Sequence, residues 1–297
     1  MINELNLKEN IDLKKLNTMG LGGKCKYYFT PTTKEELLNG INIIEKENIK
    51  WFILGGGSNV ILPDNDFNGV IISLKNMRTI KLEKDTMFAH AGVSLSYTNN
   101  LLLKKGYTNF VWSAGIPGTL GGAIFGNAGC YGKTIFSDLI SVTVLKDKEF
   151  IVLPKDDIKY SYRETNLKDV IIIGALFNIE KKDYTKSLND MKDWAIKRFE
   201  TQPLKYKNAG STFRNPENDS AGRLIEAAGL KGLKVGGASV SEKHANFIVN
   251  LNDATSNDVV TLIYKIQSEI KRIYNIDLII ENKIIKWEEL WKKRKKE

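Results

Sequence analysis

Cysteine and histidine are scarce in this chain of 297 residues, which contains two of each. Cys25 and Cys130 are too few for a disulfide framework, which fits a protein of a reducing cytoplasm. With only His90 and His244 besides them, a Cys/His zinc site is effectively excluded. The sequence therefore predicts neither a metal centre nor a disulfide-stabilised fold.

Long apolar segments are also missing. No run approaches the roughly 18 to 20 uncharged residues that a membrane-spanning helix needs. The N-terminal sequence MINELNLKEN lacks the apolar stretch of a signal peptide. With 42% hydrophobic and 27% charged residues, the composition is that of an ordinary globular enzyme. We expect a cytoplasmic protein with no membrane partner.

Two common nucleotide-binding motifs are incomplete. The dinucleotide fingerprint G-x-G-x-x-G fails because GLGGKC (residues 20–25) and GGGSNV (residues 55–60) both lack the third glycine. The segment NAGCYGKT (residues 127–134) approaches a Walker A motif but has Asn127 at the first glycine. A Rossmann site and a nucleoside triphosphatase are therefore disfavoured.

Basic residues exceed acidic ones, giving a net charge of +9 and a pI of about 9.2. The excess is dispersed along the chain, and its one run, KKRKK at residues 292–296, is typical of a solvated tail. No motif with interleaved base-reading residues is present, so no nucleic-acid partner is expected. The charge is compatible with phosphate-bearing substrates.

Glycine, by contrast, is concentrated in one tract. Seven of the chain's 24 glycines lie within residues 113–132, SAGIPGTLGGAIFGNAGCYG. So many glycines imply unusual backbone dihedrals or a close approach to another group. Backbone N–H groups arranged in this way form anion sites, commonly for phosphate. Because linkers are polar and this tract carries apolar residues, we interpret it as a folded loop around a phosphorylated cofactor.

Two further glycine clusters support this interpretation. WFILGGGSNV (residues 51–60) is a short apolar strand that runs into three glycines, and Ser58 and Asn59 add side-chain donors. NTMGLGG (residues 17–23) is a weaker third cluster. Three such clusters in the first 132 residues favour an extended cofactor site over unrelated turns.

The hydrophobic pattern predicts a mixed α and β chain. Helices are expected at 32–48, 94–105, 185–200, 220–228 and 255–274, and strands at 51–54, 70–73, 142–145, 170–177, 247–251 and 277–281. A chain of this length forms two or three domains or lobes. We place a boundary at about residues 180–186.

Four polar residues stand out, and each also has an ordinary explanation. Ser211 in AGSTFRNP presents its hydroxyl on a sharp loop or is a common turn serine. Arg163 in SYRETN can equally be a surface arginine, and His244 in SEKHANF a loop histidine. Glu281 ends the apolar run DLIIE, where a carboxylate either reaches solvent or lies partly buried. Residue type alone does not decide among these alternatives.

Taken in order, these segments resemble the UDP-N-acetylenolpyruvoylglucosamine reductase family. The resemblance rests on NTMGLGG, LGGGSN, the glycine tract, SYRET, AGSTFRNP, AGRLIEAAGLKGLKVGGASVSEKHANFIVN and the terminal acidic strand, and it spans roughly residues 17–283. The glycine tract and AGSTFRNP are its most specific parts. The short chain is similar to the family's type II, which lacks an insertion that carries a substrate-binding tyrosine in type I.

The resemblance implies an α+β fold. An FAD-binding PCMH-type domain at residues 1–183, with the fold shared with vanillyl-alcohol oxidases, would have two lobes at roughly 1–78 and 79–183. A smaller α+β substrate-binding domain would follow at residues 184–297. The resemblance also implies a cytoplasmic flavoenzyme of peptidoglycan precursor synthesis, and hence of cell wall biogenesis, cell shape and cell division. We expect a monomer.

The resemblance further implies the reaction. NADPH would reduce FAD, and the reduced flavin would pass hydride to C3 of the enolpyruvyl group of a UDP-linked sugar, giving UDP-N-acetylmuramate. Arg163 corresponds to the cation that stabilises the developing charge, and Glu281 to its acidic partner. Ser211 corresponds to the donor of the proton to C2.

Further site residues follow from the same resemblance. Asn215, Lys231 and His244 fall where the family contacts the UDP-sugar, and Lys231 suits a diphosphate as a point charge. The residues on the flavin side are Gly55, Gly56, Gly57, Ser58, Asn59, Ser113, Gly115, Ile116, Pro117, Gly118, Gly121, Gly122, Gly126, Asn127 and Gly129.

Four positions depart from the family pattern. Thr165 stands where serine is expected, and Lys207 replaces a usual proline. Ile280 and Lys283 stand where proline and arginine usually flank the glutamate. These departures concern the surroundings of the site residues rather than their identity.

Two other functions stay open at this stage. One is a flavoenzyme of the same fold that oxidises a different alcohol or sugar, in which case such an alcohol would bleach the flavin and oxygen would be consumed. The other is a nucleotide-binding protein without redox activity, which would be colourless and unable to take up FAD.

Overall fold

The computed structural model describes residues 2–289, so the basic run at residues 292–296 lies outside the described part. The helices are α1 (Lys34–Lys46), α2 (Leu95–Lys104), α3 (Leu120–Phe125), α4 (Tyr184–Thr201), α5 (Ala221–Ala227) and α6 (Ser256–Tyr274). Within residues 2–289, no helix combines the length and apolar character needed to cross a bilayer.

The strands are short and numerous. They are β1 (Leu7–Asp12), β2 (Lys24–Phe29), β3 (Trp51–Ile53), β4 (Val60–Ile61), β5 (Phe67–Ile72), β6 (Ile80–Leu82), β7 (Thr86–His90), β8 (Gly129–Cys130), β9 (Lys133–Thr134), β10 (Leu139–Lys146), β11 (Glu149–Pro154), β12 (Tyr160–Ser161), β13 (Glu164–Thr165), β14 (Ile171–Asn178), β15 (Lys207–Ser211), β16 (Lys234–Val235), β17 (Ala238–Val240), β18 (Phe247–Asn250) and β19 (Lys283–Ile284). The mixed α and β composition predicted from the sequence is confirmed.

Two compact units divide the chain. The first comprises the residues up to Leu7, Tyr28–Gly56 and Ile71–Arg198, and the second comprises Lys8–Tyr27, Gly57–Val70 and the residues from Phe199 onward. Each unit is therefore built from separate stretches of sequence. The linear division at residue 183 stays a prediction.

An antiparallel five-stranded sheet in the order β11-β10-β14-β7-β6 is the main sheet of the first unit. Its central strand β14 has the sequence IIIGALFN and is buried along nearly its whole length. A continuous apolar run of this length is typical of a strand covered on both faces. Helix α3, in the middle of the glycine tract, packs against β14, and this contact anchors the tract to the core.

Side-chain caps define the helix starts of the first unit. The Thr33 hydroxyl accepts from the backbone N–H of Glu36 at 3.0 Å, so α1 begins where its capping sequence predicts. The Glu36 carboxylate accepts from the N–H of Thr32 rather than Thr33, which departs from a full capping box. Helix α2 is capped by Ser94 and ends before Gly106, whose φ is 84°.

The second unit combines an antiparallel sheet in the order β15-β18-β17-β16 with helices α5 and α6. Five apolar residues of α6 recur at helical spacing and are buried: Val259, Leu262, Ile263, Ile266 and Ile270. They share one core with residues of α5 and of the sheet. The capping box of Thr255 and Asp258 fixes the start of α6.

The predicted strand at residues 277–281 is wrong in position. Ile280 makes only an isolated bridge with Phe213, and Ile279 is 60% exposed. The strand lies instead at Lys283–Ile284, where β19 pairs in parallel with β4. The apolar run does not reveal its partner, and the pairing is decided by β4, more than 200 positions earlier in the chain.

Candidate functional site

In the first unit, the two main glycine clusters lie against each other. A Cβ on Gly56 would lie 2.7 Å from the Cα of Gly118, and a Cβ on Gly55 would lie 3.0 Å from Oγ1 of Thr119. Gly118 has a φ of 117°, which other residues rarely adopt. The close approach of the two backbones therefore requires glycine on both sides.

We expect Gly56→Ala to lower both the melting temperature and the FAD content of the protein. The added methyl would meet main-chain atoms of Gly118, and relieving such a clash typically costs about 1–3 kcal/mol. Melting of the FAD-free protein and the flavin absorbance per chain would measure the two effects. Gly126→Ala is the matched control, because its methyl would meet its nearest atom, the Gly122 carbonyl oxygen, only at 3.6 Å. Equal melting temperatures of the two FAD-free variants would contradict the clash.

The glycine tract is a hydrogen-bonded loop. The Ser113 hydroxyl is buried and donates to the carbonyl of Phe110 at 2.7 Å, and the N–H of Ile116 donates to the carbonyl of Ser113 at 3.0 Å. Thr119 then caps α3 by accepting from the N–H of Gly122 at 3.3 Å. These bonds confirm that the tract is folded and is not a flexible linker.

An open backbone surface and an orphaned acceptor in the tract fit a cofactor. Among the described residues, a Cβ on Gly122 or Gly126 would meet no heavy atom closer than 3.4 Å, so neither position is closely packed. Asn127 has a φ of 41° and is 4% exposed, and its Oδ1 is buried with no hydrogen-bond partner among the described residues. Buried acceptors are normally satisfied, and a ring N–H such as that of a flavin would supply the missing donor. The residues present therefore fit FAD.

Other tract positions have packing roles of their own. The Gly115 carbonyl accepts from Nη2 of Arg198 at 3.0 Å, and Pro117 between the two left-handed glycines is exposed. A Cβ on Gly121 would lie 2.7 Å from the Cβ of Ala91. A Cβ on Gly129 would lie 2.6 Å from the Lys133 carbonyl oxygen across the β8–β9 hairpin. These contacts hold the shape of the tract.

Arg163 lies in the tight turn between β12 and β13 and contacts the glycine tract. Its Nη2 donates to the carbonyl of Gly129 at 2.7 Å and its Nη1 to the carbonyl of Asn127 at 3.4 Å. The φ of Arg163 is 60°, a sparsely populated conformation that clusters at functional sites. Thr165 is buried, and its hydroxyl donates to the carbonyl of Phe125 at 2.8 Å. Thr165, which replaces the expected serine, thus keeps a hydroxyl, and this hydroxyl links the hairpin to the tract.

In the second unit, the third glycine cluster contacts the end of GGGSN. The N–H of Thr18 donates to the carbonyl of Gly57 at 3.1 Å, and a Cβ on Gly57 would lie 2.2 Å from the Leu16 carbonyl oxygen. The Asn17 amide closes the NTMGLGG loop by donating to the carbonyl of Leu21 at 2.7 Å. The structure therefore brings these two clusters together.

Ser211 and Glu281 lie on neighbouring segments of the second unit. The N–H of Glu281 donates to the carbonyl of Thr212 at 2.8 Å. Asn59 contacts the Glu281 segment, because its Nδ2 donates to the Glu281 carbonyl at 3.4 Å and its own carbonyl accepts from the N–H of Lys283 at 2.9 Å. Ser58, the preceding residue, is partly buried. Glu281 thus adjoins the end of GGGSN, and the segment of Ser211 pairs with Glu281.

Arg163 belongs to the first unit, whereas Ser211 and Glu281 belong to the second. The joint action of the three residues stays a prediction.

The three predicted substrate contacts surround α5. Oδ1 of Asn215 accepts from the N–H of Ala221 at 3.1 Å and holds the first turn of the helix. Nζ of Lys231 donates to Oε1 of Glu226 at 2.6 Å. A Cβ on Gly222 would lie 3.1 Å from Cε1 of His244, so the imidazole lies against the same helix.

The imidazole of His244 is a neutral hydrogen-bond donor. Burial lowers its pKa below the usual 6.5, a backbone hydrogen bond partly opposes this shift, and the positive charge of Lys231 lowers the pKa further. Nδ1 accepts from the N–H of Asn246 at 3.2 Å. The proton of the neutral ring is therefore assigned to Nε2, which can donate to a ligand oxygen.

Asn282 is a residue of this region that the sequence does not reveal. It is 7% exposed, and its side-chain amide contacts Asn59 and two carbonyls of β15. A single asparagine between a glutamate and a lysine gives no pattern, so only the fold identifies it.

Comparison with known proteins gives consistent matches. Residues 202–285 match the family described as UDP-N-acetylenolpyruvoylglucosamine reductase, C-terminal domain, and residues 25–152 match the family FAD binding domain. A UDP-N-acetylenolpyruvoylglucosamine reductase of Caldanaerobacter subterraneus subsp. tengcongensis is 38% identical over 288 residues, covering 96% of this chain and 95% of the relative. One of Clostridium botulinum is also 38% identical, over 94% of this chain and 93% of the relative.

A solved structure gives the same result. The UDP-N-acetylenolpyruvylglucosamine reductase of Thermus caldophilus aligns with a TM-score of 0.83 at 30% identity, covering 94% of this chain and all of that one. The α+β fold with an FAD-binding domain, expected from the sequence, is confirmed.

Proposed function

This chain belongs to the UDP-N-acetylenolpyruvoylglucosamine reductase family, and we propose that it reduces a UDP-linked enolpyruvyl sugar to UDP-N-acetylmuramate with NADPH as reductant. It is an FAD-dependent oxidoreductase. The observation that carries the proposal is the backbone pairing that sets Glu281 next to the segment of Ser211. We place the reaction in the cytoplasm, in peptidoglycan precursor synthesis.

The glycine clusters would hold the cofactor. Gly55, Gly56, Gly122 and Gly126 offer bare backbone, and Asn127 offers an acceptor. Bound there, FAD would supply the hydride chemistry between NADPH and C3 of the enolpyruvyl group. Side chains of the protein would stabilise the developing charge, donate the proton and bind the substrate.

Arg163 and Glu281 would stabilise the charge that develops on the substrate. Hydride addition at C3 leaves an electron pair at C2 that is delocalised into the neighbouring carboxylate. A guanidinium can bind such a carboxylate bidentately, and groups fixed before reaction stabilise developing charge most effectively. The hydrogen bonds from Arg163 to the carbonyls of Asn127 and Gly129 support a fixed guanidinium. Glu281, in its protonated form, would donate to the same charge.

Ser211 would complete the reaction by protonating C2. A serine hydroxyl is a weak acid, but carbanionic C2 is a strong base, so the transfer is feasible where the geometry is held. The hydride adds to C3, the proton adds to C2, and the former double-bond pair forms the new C–H bond at C2. Backbone pairing of Ser211 with Phe247 supports a fixed position for the donor.

Asn215, Lys231 and His244 would bind the UDP-sugar. An ammonium group such as that of Lys231 suits a diphosphate, and binding would exchange its contact with Glu226 for one with phosphate. The neutral imidazole of His244 would donate from Nε2 to a sugar or phosphate oxygen. Placement of all three around α5 supports one shared ligand.

Absorption spectroscopy of the purified protein tests the proposal. Spectra are recorded before and after anaerobic addition of NADPH, and again after addition of the UDP-linked enolpyruvyl sugar. We expect flavin bands that bleach with NADPH and return with the sugar. Bleaching without return would leave a flavoenzyme acting on another substrate. Absence of flavin bands after reconstitution with FAD would overturn the assignment of the glycine tract.

A further inference from the structure

Strand β15 contains a bulge immediately before Ser211. In its pairing with β18, Asn208 faces Val249 and Ser211 faces Phe247, so two residues of β15 stand opposite one of β18. The second of the two is Gly210, whose φ is 76° and whose Cβ position has no neighbour within 4 Å. Bulges change the direction of the side chains that follow them, often beside active sites. The direction of Ser211 therefore depends on how firmly this bulge is held.

The side chain of Asn282 bridges the bulge. Its Nδ2 donates to the carbonyl of Ala209 at 2.9 Å and to the carbonyl of Ser211 at 3.2 Å, one on either side of Gly210. With 7% of its surface exposed, Asn282 makes these bonds away from solvent. Removing a buried donor leaves its acceptors unsatisfied, which costs more than the bond itself contributes. The amide thus adds to the hold of Asn208, whose Oδ1 accepts from the N–H of Gly210 at 3.0 Å.

The same amide also reaches GGGSN. Its Nδ2 lies 2.9 Å from Oδ1 of Asn59, while Nδ2 of Asn59 donates to the Glu281 carbonyl. An amide nitrogen has two hydrogens, so the three acceptors share them. One side chain therefore connects the segments of Asn59, Ser211 and Glu281.

From this geometry we infer that Asn282 is a positioning residue, which holds the β15 bulge and so directs the Ser211 hydroxyl to the atom it protonates. The inference rests on the proposed function, because it assigns Asn282 a role through Ser211. Asn282 itself donates no proton to substrate. Its effect is confined to the half-reaction in which Ser211 acts.

Stopped-flow measurement of Asn282→Leu in the FAD-loaded enzyme tests this role. Leucine approximates the shape of asparagine and removes its donors. We expect flavin reoxidation by the UDP-linked enolpyruvyl sugar to slow by about tenfold or more, since small misplacements of a reacting group can cost about 10²-fold. Flavin reduction by NADPH should be nearly unchanged, and the solvent deuterium isotope effect on reoxidation should rise. Equal slowing of both half-reactions would overturn the role.

A double-mutant cycle separates positioning from general structural damage. If Asn282 acts through Ser211, adding Asn282→Leu to Ser211→Ala should slow reoxidation little further, whereas independent effects would multiply. Multiplying effects would overturn the inference. Wild-type enzyme that fails to turn over the sugar would overturn the proposed function itself, and the role of Asn282 with it.

Two further variants serve as controls for an effect of the substitutions on folding. Asn282→Ser retains one side-chain donor, and its reoxidation rate should lie between those of wild type and Asn282→Leu. Gln267→Met removes another side-chain amide that binds the same C-terminal segment, at the carbonyl of Leu278. It should affect melting temperature but not the ratio of the two half-reaction rates. An altered ratio in Gln267→Met would overturn the specific role of Asn282.

Discussion

Replacement of Ser211 by alanine is expected to slow flavin reoxidation by the enolpyruvyl sugar by about 10²-fold or more, the usual contribution of a positioned proton donor. Reduction of the flavin by NADPH should remain close to the wild-type rate. The substitution removes only a hydroxyl, because the main chain at Ser211 is held by pairing with Phe247 and by the amide of Asn282. Anaerobic stopped-flow absorbance separates the two half-reactions.

Ser239→Ala is the matched control for this variant. Ser239 lies on β17 of the same sheet, is buried, and donates its hydroxyl to the carbonyl of Val240 at 3.1 Å. Its loss should leave both half-reactions intact. If the flavin of Ser211→Ala is reoxidised at the wild-type rate, the serine has no part in the mechanism.

Removal of the guanidinium in Arg163→Ala is expected to lower the rate of substrate reduction by about 10²-fold or more, as for deletion of a preorganised anion-stabilising group. Arg163→Lys should recover only part of this loss, because an ammonium keeps the charge but not the planar pair of donors. Turnover with saturating NADPH, at a series of sugar concentrations, gives kcat and kcat/KM for each variant.

The guanidinium also hydrogen-bonds the glycine tract, so the effect of losing these structural contacts needs its own control. Thr165→Val removes another bond from the same hairpin to the tract, the one to the Phe125 carbonyl, and leaves the guanidinium in place. Thr165→Val should lower activity by less than about tenfold, far less than the deletion of a catalytic group lowers it. A similar loss in Arg163→Ala and Thr165→Val, with a matching loss of bound FAD, would assign Arg163 to structure instead of chemistry.

Local signals predicted the helices well. Thr33 and Ser94 are side-chain caps that act on residues within the same turn, and α1 and α2 begin within about two residues of the predicted starts. The spacing of the buried residues of α6 likewise lies within one helix. The predicted position of the terminal strand was wrong because the position depends on a partner far away in the sequence. Lys283 pairs with Val60, and nothing in the apolar run DLIIE encodes that choice.

The site was also predicted only where a local sequence signal or the family resemblance was available. The density of glycine indicated a close backbone approach, and Gly56 against Gly118 is such an approach. The chemistry of Arg163, Ser211 and Glu281 came from the family resemblance, because each residue type alone had an ordinary explanation. The bulge at Gly210 and the amide of Asn282 could not be predicted, since both depend on three segments meeting in space.

The pairing of Asn59 with Glu281 and Asn282 joins positions 222 and 223 residues apart. During synthesis on the ribosome, GGGSN emerges long before either partner exists. Contacts between such distant positions carry the entropy cost of closing a long loop and tend to form late in folding. Glu281 and Asn282 therefore emerge together, more than 200 residues after GGGSN. A nascent chain stalled before residue 281 has neither residue, so we expect its GGGSN segment to lack these contacts.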